Sequence, residues 1–430
     1  MRLTVLSCAL ALAACGSSSP EPNVTPTPAP IASATPTEPT PPTPEQAQLF
    51  ARASNAFGLE LWSHLRSERG NQIVSPASIA VALDMTFAGA RGETAAEMAR
   101  VLRAPSDAAA LHEAAGNVLS TWNDPSREAY TLAVANRLFG ERTYTFEEPF
   151  LALTRTTYRA PLEPLDFRSA ADASRVAING WVAEQTRDRI RDLLPPASID
   201  DQTRLVLVNA VYFLARWATE FETHSTQPRP FFVDGAGSGA PVPTMHRTGL
   251  MRYGEVDGAQ VLELPYRQNE VGMTIVLPRE RDGLGALEEG LDPERLERWV
   301  ASLEDGHRVA LALPKFRIAP PTSLRLADLL QQMNMRLAFS RERADFTGIA
   351  NPPSPADRLY VSQVFHKAFV AVDEQGTEAA AATAVVMARA GSGMPPEPPI
   401  ELRADHPFLF FIRDLRSGTV LFMGRLTDPR

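Results

Sequence analysis

Residue 45 separates two kinds of polymer. Ten of the 25 residues from Pro20 to Pro44 are proline, and no aromatic side chain precedes Phe50. Such a stretch buries too little apolar surface to offset the entropy of ordering it, so residues 16–44 read as an extended, polyproline-like spacer. The chain has two cysteines, Cys8 and Cys15, and none beyond them. A fold built from residues 46–430 is therefore held by its core alone, without a disulfide. No second Pro/Gly-rich linker divides that span. The clusters GAGSGAP (235–241) and GSGMPPEPP (391–399) are short enough to be loops within one domain.

The N-terminus reads as a targeting segment. LTVLSCALALAA (3–14) follows a single basic residue, Arg2. A twelve-residue apolar run fits a secretory h-region and is too short to span a bilayer. It closes on LAAC, Leu12 to Cys15, which resembles the lipobox of bacterial lipoproteins. That resemblance implies a signal peptide over 1–14, lipidation of Cys15, a tether over 15–45 and a domain over 46–430. The expected place is the extracellular side of the cell envelope, with membrane contact only through the lipid.

Within 46–430, helices come first. Leu49, Phe57, Leu61 and Leu65 share one face at multiples of four. Ser75-Pro76 offers an N-cap with proline at the first helical position, ahead of Ile79, Leu83 and Phe87. Thr94 and Glu97 have capping-box spacing before Met98, Val101 and Leu102. Residues 174–194 carry Val176, Ile178, Trp181, Val182, Ile190 and Leu193 as a further helical stretch ended by Pro195-Pro196. Strands dominate afterwards. Leu205–Leu214 is a near-continuous apolar run, as in a strand covered on both faces. Runs at 261–266, 273–277, 309–313 and 364–372 follow, with a C-terminal pair at 408–412 and 420–423. This order predicts an α+β fold with mainly antiparallel sheets.

The formal net charge of −9 and pI of about 5.4 leave no basic footprint for nucleic acid. No two of the seven histidines stand three to five residues apart, so helical metal-ligand spacing is missing. Without cysteine past Cys15, thiolate metal sites and cysteine nucleophiles are excluded from the domain. The only lysines are Lys315 and Lys367, against 40 arginines. A Ser-x-x-Lys nucleophile would need serine where Ala312 and Val364 stand. There is no Gly-Lys pair for a phosphate loop and no G-x-S-x-G elbow. A Ser/His/Asp triad needs no adjacency in sequence, but no residue nominates one. The expectation is a protein that is not an enzyme and uses no metal or cofactor.

Residues 373–390, DEQGTEAAAATAVVMARA, admit two readings. The alanines favour a surface helix or linker. Alternation favours a strand: Thr377, Ala379, Ala381, Thr383, Val385 and Met387 occupy every second position and none is charged. The flanking sequence bears on the choice. IVSPASIAVALDMTFAGARGETAAEM (73–98), INGWVAEQTRDRIRDLLP (178–195) and LVLVNAVYFLARW (206–217) resemble the serpins, as do LELPY (262–266) and LPKFRI (313–318). VSQVFHKAFVAVDEQGTEAAAATAVV (361–386) and ADHPFLFFIRDLRSGTVLFMGRLTDP (404–429) extend the likeness over nearly all of 46–430.

The resemblance implies about nine helices and three mainly antiparallel sheets, with an exposed reactive-centre loop. It implies a suicide-substrate inhibitor of serine endopeptidases, working as a monomer in a covalent 1:1 complex. The cut loop would enter the central sheet as a strand and carry the acylated protease with it, releasing a metastable native state; the handling of strain by serpin loop insertion is a standard example of such a switch. Family roles fall on Glu374, Gly376, Thr377, Glu378, Ala379, Ala380, Ala381 and Ala382 as the hinge. Lys315, Glu374 and Trp217 fall at the top of the sheet, the breach. Ser75, Asn209 and His366 fall beneath its centre, the shutter. Family spacing from Glu374 places the scissile bond at Ala390–Gly391, suited to elastase- or subtilisin-like proteases. A loop one residue shorter would place it at Arg389–Ala390, suited to a trypsin-like protease. GSGMPPEPPIELRA (391–404) is longer than usual for the family after the bond. The alternative is a non-inhibitory binding or scaffold lipoprotein of the same fold, which bulky, charged or proline residues in the hinge would favour; none stands at 376, 377 or 379–382.

Overall fold

The first helix opens where the proline-rich segment closes. Thr43 accepts the Gln46 N–H and Gln46 returns its side-chain carbonyl to the Thr43 N–H, a reciprocal cap with Pro44 at the first helical position. The computed structural model describes residues 41–124, 130–233, 237, 239–377 and 398–430.

In chain order the elements are α1 (Pro44–Leu65), β1 (Gln72–Val74), α2 (Pro76–Gly89), α3 (Gly92–Val101), α4 (Ala108–Trp122) and β2 (Tyr130–Glu141). Next come α5 (Glu148–Thr156), β3 (Leu162–Leu165), α6 (Phe167–Gln185), β4 (Leu205–Arg216), β5 (Gln227–Phe231) and β6 (Ala240–Val256). Then follow β7 (Ala259–Pro265), β8 (Val271–Pro278), α7 (Leu284–Glu288), α8 (Pro293–Ala301), β9 (Glu304–Pro314) and β10 (Phe316–Ile318). The last are β11 (Leu324–Arg325), α9 (Ala327–Gln332), β12 (Phe365–His366), β13 (Val370–Val372), β14 (Gly376–Thr377), β15 (Ile400–Arg403), β16 (Phe408–Asp414) and β17 (Val420–Leu426).

The described residues thus hold nine α-helices and three sheets. One sheet has nine strands in the order β1-β17-β16-β8-β7-β6-β9-β15, with β5 joined to β6. The six-stranded sheet runs β10-β13-β14-β4-β2-β3, and β11 pairs with β12. Most pairs are antiparallel; β15 with β9 and β2 with β3 are parallel. No described helix is long and apolar enough to cross a membrane.

Two apolar cores sit on opposite faces of the six-stranded sheet. The larger packs α2 and α4 against one face, with α1 packed on both helices, through residues such as Phe57, Val81, Leu119 and Val211. The smaller joins Phe167, Ile178 and Val182 of α6 to Phe139, Val208 and Ala210 on the other face. Ile190, Leu193, Leu194 and Ile199 belong to this second core, but not as helix. The chain leaves α6 at Gln185 and becomes an irregular strap over 186–204 in which Arg187, Asp188, Asp192 and Ala197 have positive φ. The strap is pinned on several sides. Asn179 bonds Leu194 through both its amide groups, Lys367 Nζ donates to the Arg191 and Pro321 carbonyls, and Ser323 Oγ donates to Leu193 O.

The structure corrects two local expectations. α6 ends ten residues before the Pro195-Pro196 stop, and Val176, expected on its buried stripe, is exposed. Thr94 and Glu97 do not form a capping box for α3, which begins at Gly92. Their side chains instead accept the backbone N–H groups of Asp345 and of Arg336 and Leu337.

Candidate functional site

The six-stranded sheet is held together unevenly between β4 and β13. At its top the two-residue strand β14 lies between them. Thr377 pairs with Val372 on one side and with Ala215 on the other, and Gly376 pairs with Arg216. Below Ala215, no described strand pairs with the edge of β4 that faces β13. A cavity of about 360 Å³ lies at the lower end. Leu205, Leu207 and Asn209 of β4 line one side; Tyr360, Val364 and Phe365 line the other; Leu83 and Thr86 of α2 lie behind.

The top of the opening is a dense polar and aromatic cluster. Lys315 Nζ donates to Glu374 Oε2 at 2.7 Å, and Thr226 Oγ1 donates to Glu374 Oε1 at 2.8 Å. Burial alone would raise the Glu374 carboxyl, but the bonds from Lys315 and Thr226 outweigh it and hold the group below the usual glutamate range. Trp217 is buried at the end of β4. Its indole N–H donates to Asp373 O at 3.0 Å and its backbone N–H to Gln375 O at 2.9 Å. The indole lies flat on Tyr266, with ring centroids 4.5 Å apart and planes 8° apart. The Tyr266 and Thr377 hydroxyls hydrogen-bond at 2.6 Å, and burial pushes the phenol's pKa up. Gly376 permits this packing. A Cβ there would stand 2.0 Å from Ala215 O, and φ is +156°.

Beneath the centre of the sheet, the N-terminus of α2 touches both sides of the opening. The Ser75 N–H donates to His366 Nε2 at 3.1 Å, and Ser75 Oγ donates to Leu421 O at 2.6 Å while capping the Ser78 N–H. Ser78 Oγ donates to Asn209 Oδ1, and Asn209 Nδ2 donates to Asn136 Oδ1 at 2.7 Å. Ser75, Asn209 and His366 therefore belong to one network, with Ser78 as the link that joins Ser75 to Asn209. Complete burial pushes His366 down to about 4, so its ring is neutral and Nε2 is free to accept.

The family model described as "Serpin (serine protease inhibitor)" matches residues 52–429. The chain belongs to the serpin family. A serpin-like protein of Thermococcus kodakarensis, itself described as uncharacterized, is 38% identical over 386 residues, covering 90% of this chain and 87% of the relative. Serpin B6 of Bos taurus is 40% identical over 388 residues, covering 88% and 99%. The crystal structure of uncleaved ovalbumin superposes with a TM-score of 0.77 at 31% identity, covering 88% of this chain and all of that one.

Of the residues expected to form the hinge, Glu374, Gly376 and Thr377 are described, and the structure brings all three to the top of the sheet opening. The other expected hinge residues, Glu378, Ala379, Ala380, Ala381 and Ala382, lie outside the described residues, as do Arg389, Ala390 and Gly391, expected at the scissile bond, and Cys15, expected to carry the lipid. Reading the sequence missed Tyr266, Thr226, Ser78 and Asn136. Tyr266 closes the quoted LELPY motif and Ser78 lies within SPAS, so both stood inside recognised segments. Asn136 likewise stands in ANRLFGER (135–142), a further serpin-like segment, whereas Thr226 carried no local signal. Among the described residues, no group of three or more His, Cys, Asp or Glu is arranged to hold a metal.

Proposed function

We propose that this serpin is a suicide-substrate inhibitor of serine endopeptidases, carried on a lipid anchor at Cys15. The observation that carries the reading is β14. Its two residues already lie between β4 and β13, above an opening that a longer strand would complete. The small side chains from Ala379 to Ala382 suit burial in such a strand.

The protease serine would attack the Ala390 carbonyl carbon. An ester forms, the Ala390–Gly391 amide breaks, and the protease's own general acid gives the proton to the new Gly391 amine. Residues from Glu378 onward would then extend β14 downward. Each backbone hydrogen bond gained contributes about 0.5–1.5 kcal/mol, and apolar burial adds to it. Alanine at 390 favours elastase- or subtilisin-like targets; cleavage after Arg389 would favour a trypsin-like one. The LAAC lipobox supports a bacterial lipoprotein on the extracellular side of the envelope, with the proline-rich segment holding the domain clear of the membrane.

Incubation of the soluble domain with elastase, subtilisin and trypsin tests the reading. An SDS-resistant 1:1 adduct with one of them supports it, and the mass of the released C-terminal fragment identifies the bond. Clean loop cleavage by all three, with no adduct, rejects inhibition and favours a binding or scaffold role.

A further inference from the structure

The Tyr266 ring is fixed by packing that does not involve the loop. It is fully buried, flat on Trp217 and edge-on to Phe213 at 5.3 Å. Its hydroxyl, by contrast, has one partner among the described residues, the Thr377 hydroxyl, 111 positions later in the chain. Thr377 is itself buried and closes β14. A buried hydroxyl without a partner is costly. The fixed tyrosine therefore favours states in which position 377 is docked and carries a hydroxyl.

We infer that Tyr266 seats the hinge: its hydroxyl holds Thr377 in register, so the first rung of the inserting strand exists before any protease arrives. This rests on the strand-insertion reading above. After acylation, insertion races hydrolysis of the ester. Starting a strand between two edges carries an entropic cost before later rungs offset it. A preformed rung removes that cost and biases the race toward trapping. Tyr266 is thus a positioning residue for the outcome of the reaction.

The test is a double-mutant cycle with Tyr266→Phe and Thr377→Val, both of which keep the buried shape. Each single variant orphans one buried hydroxyl, whereas the double variant orphans none. Each single should shift docking against the hinge by roughly 5–30-fold, and should consume several more inhibitor molecules per protease trapped. The double should return toward wild type. Amide hydrogen exchange at 376–377 and Trp217 fluorescence in uncut protein read docking without any protease. Exchange should quicken at least about fivefold in the singles and recover in the double. Singles matching wild type in exchange, or a double no better than its worse parent, would overturn the inference. If wild type traps no protease, the insertion reading fails, while the exchange result still decides whether Tyr266 seats the hinge.

Discussion

Ser75 gives its backbone N–H to His366 Nε2 at 3.1 Å, across 291 residues of sequence. The bond ties the start of α2 to the β12 side of the sheet opening. Through Ser78, the same turn of helix reaches Asn209 on β4, the other side. Parting of the two strands therefore acts on one helical turn.

Acid should loosen that turn. His366 has a folded pKa near 4 against an ordinary 6.5, because burial disfavours the imidazolium. The unfolded chain binds the extra proton between those values. Stability is thus full above pH 6.5 and is lost as pH falls toward 4, with a slope of up to about 1.4 kcal/mol per unit. Thermal unfolding followed against pH should show this fall, and His366→Gln should flatten it.

Asp84 should act with the opposite sign. It is buried in α2, no described group hydrogen-bonds its carboxyl, and burial pushes its pKa up to about 8. Its contribution is fullest below the ordinary value of 3.8 and is lost as pH rises through 8. Asp84→Ala removes the burden and suits a helix, so it should stabilise the protein by about 1–3 kcal/mol near pH 8. Chemical denaturation at pH 8 and pH 5 measures this, with a smaller gain at pH 5.

Gly376→Ala should expel the hinge. The new Cβ meets Ala215 O at a distance no side chain tolerates, so the docked hinge loses more than about 1 kcal/mol. Limited proteolysis near 376–377 should accelerate while the unfolding temperature of the uncut protein changes little.

On the proposed insertion, cutting the loop should raise the unfolding temperature of wild type, because an inserted strand would complete the sheet. Thr377→Arg should abolish that rise and, on the proposed function, leave a chain that is cut without trapping the protease, since an unpaired guanidinium would have to enter a fully buried position. Calorimetry before and after subtilisin treatment distinguishes the two proteins.

Local chemistry was readable where the bonds are local. Ser75-Pro76 announced α2 because the capping bond spans three residues. Thr94 and Glu97 had the same kind of spacing and misled, because both side chains are engaged by a segment some 240 residues away. The apolar rhythm of 174–194 continued past the end of α6 because Ile190 and Leu193 are buried by a strap as thoroughly as a helix would bury them. Periodicity reports burial; the backbone turns at Arg187 and Asp188 left no mark in it. The role inferred for Tyr266 was invisible for a related reason, since the one partner of its hydroxyl among the described residues lies on a distant strand that only the assembled sheet creates.

The strap over 186–204 has a mechanical consequence. It is fastened to α6 by Asn179, to the β12–β13 segment by Lys367 and to the segment just before β11 by Ser323. A polypeptide threading down the sheet would slide under this buckle while all three fastenings resist it. If the proposed insertion operates, it would then proceed only as fast as the buckle unclasps and closes again behind the entering strand.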